Sequence, residues 1–268
     1  MADVIIVGGG ASGMACAVFA AEAGNKVHVF ERNEKLGKKL FITGKGRCNF
    51  TNNCDIDELF DHVVSNPKFL YSAFYGFTSQ NSIEFFKRLG VDVKVERGNR
   101  VFPASNHSSD IIKSMENKMR ELHVDIHLNV WVKDLIIQDE KACGIVLEDN
   151  KKIYGDYIVL AAGGNSYPVT GSNGDGLIMA KRHNIPIKPV RPALVPLIVE
   201  EEYVPVLQGL SLRNVKLKIM DKGKILYDEF GELLFTHFGI SGPLALSASS
   251  IIAQRLEKRA LQAYIDLK

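Results

Sequence analysis

Six residues near the start, Gly8-Gly9-Gly10-Ala11-Ser12-Gly13, have the spacing GxGxxG, and an acid, Glu31, follows eighteen residues after the last glycine. This pattern suits a pyrophosphate. Gly8 permits a tight turn, Gly10 lets a phosphate approach the backbone, and Gly13 lets a helix pack closely on a strand. A helix starting at this point would aim roughly half a positive elementary charge at that phosphate. Ala11 and Ser12 therefore join the glycines as candidate contacts. Glu31 is spaced to accept hydrogen bonds from a ribose hydroxyl pair, with Arg32 beside it. Its carboxylate would sit against a 2′-phosphate, which disfavours NADPH here and leaves FAD and NAD.

These residues need a βαβ frame, and the sequence supplies one. Val4 to Val7 is a continuous apolar run, as in a strand buried on both faces. Small and apolar residues from Met14 to Ala23 carry a helix to Gly24, and KVHVFE reads as a second strand ending in Glu31. The fold class is therefore α/β, with a Rossmann-like domain built on a central parallel sheet.

A second stretch, ITGKGRCNFTNNC at residues 42–54, admits several chemistries. A P-loop requires GxxxxGK[ST], whereas Lys45 is followed by Gly46, so the spacing fails. Asn49-Phe50-Thr51 and Asn106-His107-Ser108 are sequons, which matter only in an exported protein. Cys48 beside Arg47 could be an activated thiolate, and the competing reading is a small packed thiol.

Position and detail favour a cofactor loop. EKLGKKLFITGKGRCNFTN resembles, nearly residue for residue, the aminoacetone oxidase-like NAD(P)/FAD-dependent oxidoreductases, a flavoprotein family some of whose members are described as bile-acid enone reductases. The resemblance extends to IVLAAGGNSYPVTGSNGDGLIMAKRHN and GELLFTHFGISGPLALS. It implies a two-dinucleotide-binding-type flavoprotein using FAD, with NAD(P)H as a candidate electron donor. Lys39, Thr43, Arg47, Cys48 and Asn49 are then expected around the cofactor, and a surface salt bridge is the rival role for Arg47. Val132 is expected to present its backbone to the adenine, and Ala162-Gly163-Gly164 to let the chain pass close to the ligand. The implied activity is hydride transfer to or from flavin N5, in amine oxidation or enone reduction of a small organic substrate. An NAD-dependent dehydrogenase and a non-catalytic nucleotide-binding fragment are the alternatives.

Elsewhere, PKFLYSAFYGF, TSQNSIEFFKRLG and SSDIIKSMENKMRELH have helical spacing, which places Phe69, Phe74, Phe85 and Phe86 in packing. VDIHLNV, VKDLIIQ and CGIVLED are expected to form a small antiparallel meander, and Tyr157 to Ala161 a buried strand. A helix should start near Gly174-Asp175, with Asp175 as cap or functional group. Prolines recurring after Ile185 suit an extended crossover. The expected domains are thus residues 1–190, Rossmann-like, and 191–268, a β-barrel-like insert with a short helix and with turns at Asp-Lys-Gly and Phe-Gly. His237 is a weak acid/base candidate. Because no glycine-rich segment follows Leu261, the expectation is a chain truncated within that insert, with the Rossmann-like domain lacking its C-terminal return segment.

Composition narrows the partners. Lys plus Arg total 33 against 31 for Asp plus Glu, with no long basic run, which argues against nucleic acid. MACAVFAAEAG falls short of the roughly 20 residues of a membrane span, and the start lacks a secretory pattern, so a cytoplasmic protein is expected. Cys16, Cys48, Cys54 and Cys143 have neither disulfide nor zinc spacing. Nothing in the sequence indicates an oligomeric state.

Overall fold

A computed structural model describes residues 1–267, which form two compact units divided between Lys188 and Pro189. The first unit opens with strand β1 (Asp3–Val7), helix α1 (Ala11–Glu22) and strand β2 (Lys26–Phe30). Next come α2 (Lys38–Ile42), β3 (Thr51–Asn52), α3 (Ile56–Asp61), α4 (Tyr71–Gly76) and α5 (Ser79–Arg88). After these come β4 (Val93–Glu96), β5 (Arg100–Pro103), α6 (Ser108–Glu121), β6 (Asp125–His127), β7 (Val132–Gln138), β8 (Lys141–Leu147), β9 (Lys152–Tyr154), β10 (Tyr157–Leu160) and α7 (Asp175–Arg182).

The main sheet has the order β10-β1-β2-β6, and its pairs are parallel. Because β1 is covered on both faces, its apolar run divides by parity. Val4 and Ile6 enter a core with Met14 and Val18 of α1 and Ile111, Met115 and Met119 of α6. Ile5 and Val7 enter a second core with Leu135, Ile145 and Met179. The result is three layers: helices, parallel sheet and the antiparallel β7-β8-β9 meander.

VDIHLNV was expected in that meander, and Asp125–His127 instead pairs in parallel with His28–Phe30. Helix α6 lies in the connection that brings β6 back parallel to β2, as in a crossover. Strand β10 lies at the sheet edge, so Tyr157 is exposed rather than buried. Phe85 is buried and Phe86 stacks edgewise on Phe50, but Phe69 is 79% exposed on a 3-10 turn, Pro67–Leu70. A small sheet, β3-β5-β4, carries the chain that follows the 42–50 loop.

The second unit contains β11 (Leu197–Ile198), β12 (Ser211–Asp221), β13 (Lys224–Thr236), β14 (Gly239–Ser241), α8 (Gly242–Leu256) and β15 (Gln262–Asp266). The strands form one antiparallel sheet, β11-β14-β13-β12-β15, a half-barrel whose edge strands do not pair with each other. Alternate residues Val215, Leu217, Ile219, Tyr227 and Leu233 meet Leu244, Ala245, Ala248 and Ile252 of α8 in its core. The turn at Asp-Lys-Gly is present, whereas Phe230-Gly231 lies inside β13 opposite Lys216 and Val215. Among the described residues no helix is long and apolar enough to cross a membrane.

Candidate functional site: a cavity at the end of the parallel sheet

The carboxyl ends of β1, β2 and β10 open into one cavity of about 280 Å³. Ligands of open α/β sheets bind outside this end of the strands. Gly8, Gly10, Ala11, Ser12, Glu31, Arg32, Lys39, Thr43, Val132, Ala162 and Gly163 all line it. Residues expected at the site from five separated stretches of sequence therefore share one cavity. Gly13 lies just behind them, where a Cβ would collide with the Gly8 carbonyl oxygen, so the turn and the first helical turn are packed backbone on backbone.

Helix α1 starts without a side-chain cap and without an acid in its first turn. Its first helical bond runs from the Met14 N–H to the Gly10 oxygen, and the earlier N–H groups of a helix have no intrahelical acceptor. A Cβ built on Gly10 meets no atom within 4 Å, so the space in front of those donors is open. This is the cradle that a pyrophosphate requires.

Glu31 is buried and held by three donors. The Gly9 N–H donates to its Oε2 at 2.7 Å, and the Asn33 N–H and Nδ2 donate to its Oε1 at 2.8 and 2.6 Å. Oε2 keeps capacity for a further donor, as a ribose hydroxyl would be. The chain around residues 127–130 runs beside this acid, with the Glu31 N–H on the His127 carbonyl and the Val130 N–H on the Glu31 carbonyl. That pairing carries Val130, Trp131 and Val132 to the cavity wall.

Cations surround the mouth. Arg32 pairs with Asp175 at 2.8 Å, and its guanidinium lies 4.0 Å from the Trp131 ring centroid. Lys38 pairs with Glu34 at 3.0 Å. Lys39 donates to Ser166 Oγ at 3.1 Å and has no carboxylate within ion-pair reach among the described residues. Burial pulls the Lys39 ammonium below the usual lysine value, the direction that a ligand phosphate would reverse.

Arg47, Cys48, Asn49 and Gly164 are not among the lining residues. Arg47 pairs with Glu96, donates to Asn106 Oδ1 at 2.9 Å and lies 4.2 Å from the Phe102 ring centroid, so it ties the loop to the small sheet. Cys48 is buried, and burial raises its thiol pKa, the environment of an inert cysteine. His237 is exposed at the β13–β14 turn of the second unit.

The cavity also includes groups that the sequence did not single out: Asn33, Lys38, Trp131, Thr170, Gly171 and Ser172. Asp175, read only as cap or functional group, lines it from the first turn of α7. Asn33 had one local signal, its place two residues after the acid. Trp131 and the 170–172 segment reach the cavity only through tertiary pairing.

Residues 2–242 match the family described as HI0933-like protein Rossmann domain. The chain is 32% identical over 266 residues to the 3-dehydro-bile acid delta(4,6)-reductase of Clostridium scindens, covering 97% of this chain and 63% of that protein. It is 31% identical over 251 residues to a ribosomal RNA dihydrouridine synthase of Haemophilus influenzae, covering 92% and 60%. The chain therefore spans about three fifths of the length of these curated relatives. Among solved structures, the open conformation of a flavocytochrome c3 fumarate reductase superposes with a TM-score of 0.50 at 21% identity, over 79% of this chain and 47% of that one, a likeness of fold.

Proposed function

The chain belongs to the HI0933-like family, and from that premise we propose that it is an FAD-dependent oxidoreductase that saturates a carbon–carbon double bond conjugated to a carbonyl. The observation that carries the cofactor assignment is the single cavity uniting the uncapped start of α1, the open space before Gly10, the buried Glu31 and the backbone at Val132. These groups fit the ADP half of FAD. The helix N-terminus and Lys39 would take the pyrophosphate, Glu31 the ribose, and Val132 the adenine edge. Bound FAD supplies two-electron hydride chemistry that no side chain can provide. The protein's share is to bind, orient and exclude water.

Two relatives favour reduction over amine oxidation. A delta(4,6)-reductase and a dihydrouridine synthase, by their names, both saturate a C=C bond. In a 3-dehydro steroid and in uridine that bond is conjugated to a carbonyl, so the β carbon accepts a hydride and the α carbon a proton. NAD(P)H is the proposed source of the reducing equivalents. The near balance of 33 basic and 31 acidic residues favours a free small enone over an RNA.

The test is anaerobic. Chain loaded with reduced FAD is mixed with a 3-oxo-Δ4 steroid or a uridine oligonucleotide, chain loaded with oxidised FAD is mixed with a primary amine, and the flavin absorption is followed. Reoxidation by the steroid supports the proposal, and reoxidation by the oligonucleotide alone moves the substrate to RNA. Reduction of oxidised flavin by the amine, with no response to either unsaturated compound, contradicts it.

A further inference from the structure

Asn33 joins the two walls of the cavity through a single side-chain amide. Its Nδ2 donates to Glu31 Oε1 at 2.6 Å and to the Thr170 carbonyl at 3.1 Å, and its Oδ1 accepts from Lys38 Nζ at 3.3 Å. The segment on the far side, residues 163–174, follows β10 and carries Thr170, Gly171 and Ser172 into the cavity. Two more tethers cross to it from the same side, Lys39 to Ser166 and Arg32 to Asp175. The contact is tight. Gly171 has φ +95°, and a Cβ there would lie 2.6 Å from Asn33 Nδ2 and 3.3 Å from Arg32 Cδ. Tyr167 also has positive φ, at 53°, a conformation that a bulky side chain disfavours.

We infer that Asn33 is a positioning residue of the nucleotide site, one that sets the Glu31 carboxylate and latches the 163–174 strap with the two protons of a single amide. This inference rests on the reading of the cavity as the ADP subsite of FAD. The carboxylate arithmetic supports it. Oε1 already accepts two bonds from Asn33, and Oε2 accepts one from Gly9, so Asn33 leaves Oε2 as the place for a ligand hydroxyl. The same amide pins Thr170, so the acid and the strap are fixed together. Losing it leaves the acid on the Gly9 and residue-33 backbone N–H groups alone and takes one of the three tethers from the strap, so a bound nucleotide escapes faster through the loosened wall. Association, which enters a cavity already open to solvent, is little changed. The Arg32–Asp175 pair latches the same strap, so an opening at one tether makes the other less effective.

The experiment uses FAD and the fluorescence of Trp131, the only tryptophan of the chain. Dissociation and association rates are measured by stopped flow for the parent, Asn33→Ala, Asp175→Asn and the double variant, with melting temperatures of the ligand-free proteins. Asn33→Ala should raise the FAD dissociation rate about tenfold, the scale of one hydrogen bond to a charged group, with association within about twofold. The double variant should dissociate more slowly than the product of the single effects requires, since neighbours that share one structural element do not add. Asn33→Ser, which keeps one proton, should fall between parent and alanine, and it carries the test if Asn33→Ala does not fold. An unchanged dissociation rate in Asn33→Ala, with or without a lower melting temperature, overturns the inference while leaving the FAD site intact. Strictly multiplicative effects in the double variant overturn the shared latch. Failure of the parent to bind FAD overturns the cofactor reading, and the inference with it.

Discussion

Glu31 has three hydrogen-bond donors around one buried carboxylate, a concentration of polar contacts with little reason to exist in a purely structural turn. Replacing it by alanine removes the acceptor for ribose and leaves the Gly9 and Asn33 donors without their partner. FAD affinity should fall by about 1–3 kcal/mol, the range for a hydrogen bond to a charged group. Isothermal titration checks this, and parental affinity in Glu31→Ala would remove the ribose role. Arg47 makes the opposite case. Its guanidinium is held by Glu96, Asn106 and the Phe102 ring, away from the cavity lining. Arg47→Ala should lower the melting temperature but leave FAD affinity within about twofold. The pair is partly exposed, so its coupling to Glu96 in a double-mutant cycle should be small. A large, salt-dependent loss of FAD affinity would return Arg47 to the cofactor.

At the scale of elements, β1 holds the site in place. Ile6 is fully buried between α1 and α6, and Ile6→Ala should cost about 2–5 kcal/mol in urea unfolding. In the second unit Asp221, at the end of β12, accepts from Arg259 at 2.7 Å and Arg255 at 3.0 Å, which ties the strand to the end of α8 and the residues just beyond it. Arg259 first, and then Arg255, holds its carboxyl below the usual carboxylate value. A depressed folded pKa gives stability that is complete above the unfolded value of about 3.9 and lost as pH falls through the folded one. Melting curves from neutral pH to acid should therefore show Asp221→Asn destabilised at neutral pH and converging on the parent in acid. Parallel curves at every pH would contradict this role. The first βαβ unit was legible because its signals are local: apolar parity, three spaced glycines and an acid at the strand end. Strand β6 was not, since three residues pair with a strand nearly a hundred positions earlier, and nothing within VDIHLNV distinguishes that pairing from a meander. Phe230-Gly231 was read as a turn on composition, but cross-strand pairing with β12 keeps it extended.

At the scale of the whole molecule there are two compact units. The first presents the cavity proposed to bind FAD, and the second is a half-barrel with one helix on its core face. The sequence motifs point to the cavity but do not show its far wall, because Thr170 to Ser172 and Asp175 reach Arg32 and Asn33 across more than a hundred residues of chain. The proposed FAD site depends on the β1–α1 turn. Equilibrium titration of Trp131 fluorescence with FAD and with NAD, on the parent and on Gly10→Val, tests it most directly, because the valine fills the open space before the α1 donors. Saturable quenching by FAD, weaker quenching by NAD, and loss of FAD binding in Gly10→Val are expected. Parental FAD affinity in Gly10→Val, or a preference of the parent for NAD, would contradict it.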